Sequence, residues 1–211
     1  HNSSIQERFL QEGRLQSGLR HRNIVSVTDV IQVLHAPALV MDFVSGPDLQ
    51  ALTERCRLSD TEVDELARGI LRGVREAHAI GLVHRDLKPS NILIEVSDGA
   101  LTPRITDFGL AKVGGDSKPL NLTRTGACMG TPGYMAPEQI KDAGAVDIRA
   151  DIFSLGAILY EALTGQMAFD GPHVLEVWSR IASGVFVPLD QQRPDLPVPL
   201  VDTVHRALAV D

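Results

Sequence analysis

His84-Arg85-Asp86-Leu87-Lys88-Pro89-Ser90-Asn91, followed downstream by Asp107-Phe108-Gly109, is the stretch from which the rest of this chain can be placed. Four of its side chains share one chemistry. Asp86 can accept a proton from a hydroxyl group. Asn91 and Asp107 offer the oxygen ligands that hard magnesium ions prefer, and Lys88 adds a compact positive charge beside them. Ile92-Leu93-Ile94 and Arg104-Ile105-Thr106 predict short strands on either side of Asp98-Gly99, which would set the two polar loops side by side.

Outward from these loops, readable elements alternate with breaks. Upstream, Ser59 and Glu62 form a capping box ahead of Val63, Leu66, Ile70, Val74 and Ala77, a helical stripe that Gly81 ends. Before it, apolar, β-branched runs at 24–34 and 38–44 predict two neighbouring strands joined across Ala36-Pro37, and Gly46-Pro47 predicts a linker. Residues 3–20 carry Ile5, Phe9, Leu10, Leu15 and Leu19 at helical spacing. Downstream, 109–131 is rich in Gly, Ser, Thr and Lys without a period, the mark of a functional or disordered segment. The run from Asp151 to Tyr160 opens a helix that is apolar almost all round, hence buried, and Gly165 ends it. After Gly184 the chain is Pro-rich through Pro199, with a final short helix from near Leu200 and no internal repeat.

Composition narrows the classes. A chain of 211 residues suits one ordinary domain or most of a larger one, and an apolar content of 44% supplies a core, although aromatic content is only 4%. The net charge of −7 argues against nucleic acid as the partner. No apolar run reaches the length of about eighteen residues that marks a membrane span. Cys56 and Cys128 are too few for a disulfide framework and point to a reducing compartment. Cys128 is read as a plain small residue ahead of a reactive thiol. The expected location is cytoplasmic, with any membrane anchor outside this segment. A start at His1 inside a helical pattern, and an end at Asp211 without a tail, read as a piece of a longer protein.

Together with Gly130-Thr131-Pro132-Gly133-Tyr134-Met135-Ala136-Pro137-Glu138, the two polar runs resemble the catalytic, magnesium and substrate-docking loops of eukaryotic-type protein kinases, in particular serine/threonine kinases of bacterial type. The resemblance covers nearly the whole chain. It implies an α+β, protein kinase-like two-lobe fold. Residues 1–44 would form a partial N-terminal lobe with helix C, the last two strands and the start of the hinge. Residues 45–211 would form a mainly helical C-terminal lobe, incomplete at its C-terminal end. ATP and Mg2+ would be the cofactors, and proteins with Ser/Thr acceptors the substrates, with self-association for autophosphorylation.

Carried over residue by residue, the resemblance makes Asp107 the ligand of magnesium bridging the nucleotide phosphates and Asn91 the second metal ligand. Asp86 would be the base or orienting group. Lys88 would contact the transferred phosphate and mark serine/threonine rather than tyrosine specificity. Thr131 would hydrogen-bond the base, and Phe108 belongs to the magnesium loop. Met41, Asp42 and Val44 resemble the hinge that receives adenine, with Met41 as gatekeeper; plain strand burial accounts for Met41 and Val44 nearly as well. Asp48 would reach the ribose. Glu12 matches the helix-C glutamate that pairs with an ATP-binding lysine, and Asp151 the buried aspartate that braces the catalytic loop. A solvated surface charge and a helix N-cap are their plainer readings. Glu138 matches a docking-segment glutamate that meets a closing arginine. Thr123 and Thr125 match activation-loop sites whose phosphate, carrying about −1.5 to −2 charge, would pair with Arg85. That Thr-x-Thr and the run Arg193-Pro194-Asp195-Leu196-Pro197 give the resemblance its bacterial character.

The pattern also has gaps. Domains of this kind open with a glycine-rich loop and an ATP-anchoring lysine, yet no G-x-G-x-x-G precedes Glu12 and no lysine precedes Lys88. The closing arginine is expected beyond Asp211. The chain is therefore expected to be truncated at both ends, nearly inactive alone and aggregation-prone through uncovered apolar surface on its strands. A pseudokinase or scaffolding module competes as a reading. The missing lysine and the polar Gln16 favour it, whereas Asp86, Asn91 and Asp107 oppose it. A small-molecule phosphotransferase would share the Asp…Asn…Asp arrangement but would have no use for the 130–138 segment.

Overall fold

Among the described residues, two antiparallel hairpins carry the strand content of this α+β chain. In the first, β1 (Val27–Val33) pairs with β2 (Ala36–Met41), Val27 opposite Met41 and Val33 opposite Ala36. The expected joint at Ala36-Pro37 lies instead inside β2, where Pro37 sits opposite Gln32. A proline lacks an N–H, but on an edge strand it can face that side outward without losing a ladder bond. In the second hairpin β3 (Ile92–Ser97) pairs with β4 (Ala100–Ile105), Ile92 opposite Ile105. This is the expected pair of strands around Asp98-Gly99. The computed structural model describes residues 13, 15–33, 36–97, 99–108, 132–141 and 146–210, which fall into two compact units. One comprises His1–Arg55 with Asp64–Asp116, the other Cys56–Val63 with Ser117–Asp211.

In the first unit, residues 13 and 15–17 are helical and approach the first hairpin closely. A Cβ on Gly13 would lie 2.8 Å from Leu39 Cδ2, so glycine there lets the backbone come near the strands. Ile24 and Val25 do not extend β1 as the apolar run suggested. Their segment lines β4 instead, through Val25 N–H to Ile105 C=O (2.9 Å) and Ile105 N–H to Asn23 C=O (2.9 Å). The helix α1 (Leu49–Arg55) starts at Asp48, whose carboxylate accepts the Ala51 N–H at 2.7 Å.

Helix α2 (Asp60–Ala79) begins as its sequence predicts. Ser59 N–H donates to Glu62 Oε2 at 2.8 Å and Glu62 N–H to Ser59 Oγ at 3.3 Å. Its stripe Val63, Leu66, Ile70, Val74 and Ala77 is buried throughout. The helix closes in a Schellman motif around Gly81 (φ 78°), with Gly81 N–H to His78 C=O and Leu82 N–H to Ala77 C=O, both 3.0 Å.

The second unit is helical: α3 (Pro137–Lys141), α4 (Ile148–Thr164), α5 (Val174–Ser183), α6 (Leu189–Gln192) and α7 (Val198–Ala207). Ten residues of α4 are buried, as expected of a helix apolar all round. It begins earlier than expected, because Asp147 rather than Asp151 is its N-cap and accepts the Arg149 N–H at 2.8 Å. Asp151 lies inside the helix and is fully buried. The helix ends at Gly165 as predicted. Gly156 lets α7 come close: a Cβ there would meet Ala207 Cβ at 2.9 Å. Phe169 stacks on Phe153 and meets Phe186 edge-on, both at 5.5 Å, to complete this core. Among the described residues no helix is long and apolar enough to cross a membrane.

Candidate active site

The β3–β4 register decides what the two polar runs can do together. Ile92 faces Ile105, and the Thr106 N–H donates to Asn91 C=O at 3.0 Å, so Asn91 and Asp107 stand at the same end of the hairpin. Just upstream, a 3-10 turn over Pro89–Asn91 bends the loop back onto itself. The Asn91 amide nitrogen then reaches Asp86 twice, donating to its C=O at 2.8 Å and to Oδ2 at 3.3 Å. Lys88 Nζ donates to the same Oδ2 at 2.7 Å. Among the described residues two donors hold Oδ2 of Asp86 and none reaches Oδ1. Its side chain is 42% exposed.

His84, fully buried, ties the loop to the hairpin. Its Nε2 meets Thr106 C=O at 2.8 Å and its Nδ1 meets Asp86 N–H at 3.3 Å. A carbonyl only accepts and an amide N–H only donates, so one neutral tautomer, protonated at Nε2, satisfies both contacts. Its ring also packs at 4.7 Å from the ring of Phe108, itself buried. Two non-glycine residues of the site adopt left-handed backbone, Arg85 at φ 67° and Asp107 at φ 62°. Such conformations cost about 1–2 kcal/mol each and persist where surrounding contacts over-determine them.

Oxygen donors at this end fit a magnesium ion in kind and number. Because the Asn91 nitrogen is spent on acceptors, its amide oxygen points away from Asp86, and the Asp107 carboxylate stands at the adjoining hairpin end. Among the described residues no cluster of three or more His, Cys, Asp or Glu side chains forms a metal cage. Magnesium ordinarily takes one or two protein oxygens and completes its shell with water and phosphate, so the Asn91 and Asp107 donors suit it.

The other predicted residues fall in three groups. Met41 ends β2 partly exposed, and Val44 is buried. Asp42 spends its N–H on Ser26 C=O at 3.0 Å, and Asp48 caps α1 through one oxygen. In the second unit, Glu138 lies in the first turn of α3. There the 132–136 segment is fixed to α4: Ser154 Oγ donates to Tyr134 C=O at 2.7 Å and Tyr134 Oη donates to Glu161 Oε2 at 2.5 Å. Burial, reinforced by the Glu161 carboxylate, pushes the Tyr134 hydroxyl pKa well above its ordinary range. Glu12, Thr123, Thr125 and Thr131 lie outside the described residues. Sequence reasoning passed over Thr106, which touches His84, Asn91, Met41 and Asp107.

The family model described as "protein kinase domain" matches residues 1–204. A probable serine/threonine-protein kinase PknB of Lactococcus lactis is 34% identical over 97% of this chain and 32% of its own length. Serine/threonine-protein kinase PkaA of Streptomyces coelicolor is 37% identical over 98% of this chain and 37% of its own length. The chain thus spans about a third of these curated relatives. The crystal structure of Rad53 1-466 in complex with AMP-PNP superposes with a TM-score of 0.77 at 30% identity, covering 96% of this chain and 50% of that one. With a family model spanning nearly all of it and a kinase fold as its structural neighbour, the chain belongs to the protein kinase domain family.

Proposed function

We propose that the protein containing this chain is a serine/threonine kinase that transfers the ATP γ-phosphoryl group to hydroxyls of protein substrates. The observation that carries this reading is the Asp86 carboxylate, held on Oδ2 by Lys88 and Asn91 with Oδ1 open beside a hairpin end that presents Asp107. Asp86 orients the attacking hydroxyl and takes its proton at Oδ1. Lys88, already seated beside that carboxylate, places positive charge where the transferred group becomes most negative. Asn91 and Asp107 would hold Mg2+, which when bound neutralises charge on the nucleotide phosphates. Strand-end residues Met41, Asp42 and Val44 receive the base, with the second oxygen of Asp48 toward the sugar. Phe108 packs on His84 to fix the metal loop. Glu12, Glu138 and Asp151 serve as structural supports, and phosphate on Thr123 or Thr125 would pair with Arg85.

The lobe boundary belongs near residue 44, and catalysis needs more than these 211 residues hold, since they include no lysine ahead of Lys88. The test is incubation of the full-length protein with ATP and magnesium, with phosphate mapped by mass spectrometry beside an Asp86→Asn control. Phosphate on Thr123 or Thr125 that is lost in the control supports the reading. Nucleotide binding with no transfer in either protein would favour the pseudokinase reading, which the same missing lysine supports. The 211-residue chain on its own is expected to transfer almost nothing.

A further inference from the structure

Thr106 is 6% exposed and engages four neighbours at once. Its N–H holds Asn91 C=O at 3.0 Å and its C=O takes the His84 Nε2 at 2.8 Å, so its backbone already joins the two halves of the site. Its hydroxyl does something separate. The Oγ1 lies 3.8 Å from Met41 Sδ and 3.5 Å from Asp107 Oδ1, with donor geometry toward both. A hydroxyl has one proton, and these two acceptors compete for it. A carboxylate is the stronger acceptor, so the proton belongs to Asp107 while that group carries its full charge.

We propose that Thr106 is a positioning residue of the site, its hydroxyl shared between the Asp107 carboxylate and the Met41 sulfur so that the metal end and the base end are set together. The proposal rests on the reading of Asp107 as a metal-binding carboxylate. A donor on Oδ1 fixes the carboxylate rotamer and leaves Oδ2 as the oxygen offered outward. That places the residue's effect on metal affinity rather than on folding, because the backbone bonds of Thr106 survive any side-chain change.

The test uses the full-length protein and calorimetric titration of nucleotide at graded Mg2+, with thermal unfolding alongside. Thr106→Val keeps the shape and removes the proton; it is expected to raise the Mg2+ concentration for half-maximal nucleotide binding about three- to tenfold, a range set by one hydrogen bond to a charged group. Thr106→Ser keeps the proton and is expected to stay within about twofold of the parent, on the same scale. Thr106→Ala removes the same proton without adding a methyl group to the site and is expected to raise the requirement by a similar factor, which decides the matter should Thr106→Val fail to fold. Equal behaviour of the Val and Ser variants overturns the proposal, as does a Thr106→Ala variant that matches the parent. Asp107→Asn separates the two readings. If magnesium-dependent binding survives in that variant, the metal reading fails on its own. If it is lost there while Thr106→Val matches the parent, only the Thr106 proposal fails.

Discussion

Asp86 and Gln16 show how differently two polar side chains are treated within the first unit. Around the Asp86 carboxylate, Lys88 and Asn91 hold one oxygen, and the side chain is 42% exposed. Replacing it with asparagine keeps the shape and removes the proton acceptor. Phosphoryl transfer by the full-length protein should fall about 10²–10⁴-fold with nucleotide affinity little changed, the scale of a general base; equal loss of binding would point to misfolding instead. Gln16 is 1% exposed, and among the described residues neither its amide nitrogen nor its oxygen has a hydrogen-bond partner. Each buried, unmade hydrogen bond costs about 1–3 kcal/mol. Gln16→Leu should therefore raise unfolding free energy by about 1–3 kcal/mol in urea denaturation, and a decrease would mean that the amide is satisfied by a contact formed in solution.

At the scale of elements, legibility followed the range of the interactions involved. The α2 start was readable because Ser59 and Glu62 are neighbours in sequence, and Ser59→Ala should cost about 1 kcal/mol of stability through that cap alone. Asp86, Lys88 and Asn91 were readable for the same reason. By contrast, α1 is short and follows Gly46-Pro47, so its only local signal was Asp48, a residue with a competing reading at the nucleotide site. Helix α5 begins at His173 without a side-chain cap, so nothing marked its start. The start of α4 had two aspartates to choose from, and backbone geometry selected Asp147. Thr106 was invisible because its hydroxyl answers to Met41, 65 positions away. Gly73 makes the same point in reverse. By propensity alone Gly→Ala in a helix gains about 1 kcal/mol, yet a Cβ at Gly73 would come within 2.9 Å of both Asn23 C=O and Ile105 Cδ1. Gly73→Ala should thus be destabilising by about 1–3 kcal/mol in thermal or urea unfolding, and a stabilised variant would show that the Asn23 segment yields easily.

Over the whole molecule, a net charge of −7 makes acidification a test of which carboxylates matter to folding. Arg193 ties together distant parts of the second unit: its NH2 reaches Asp60 Oδ2 at 2.8 Å and Asp195 Oδ2 at 2.7 Å, and its NH1 donates to Leu163 C=O at 2.8 Å. Its side chain is only 16% exposed, so the guanidinium is largely withdrawn from water, with a bonded partner at each of its three nitrogens. Those bonds hold the Asp195 carboxyl down to about 2, below the usual carboxylate value. A carboxylate whose folded pKa lies below its unfolded pKa of about 3.9 binds fewer protons folded than unfolded. Its contribution is complete above the unfolded value and disappears as pH falls from there through about 2. Arg193→Met deletes the partner, which removes the largest part of the depression of Asp195 and leaves Leu163 C=O without its donor. The variant should be less stable than the parent at neutral pH, and the gap should narrow between about pH 4 and pH 2 as the parent loses the same interaction. Urea midpoints for both proteins across that range would measure it. A gap that stays constant with pH would assign the cost to the Leu163 carbonyl and the lost packing of the arginine stem, with no part carried by the ion pairs.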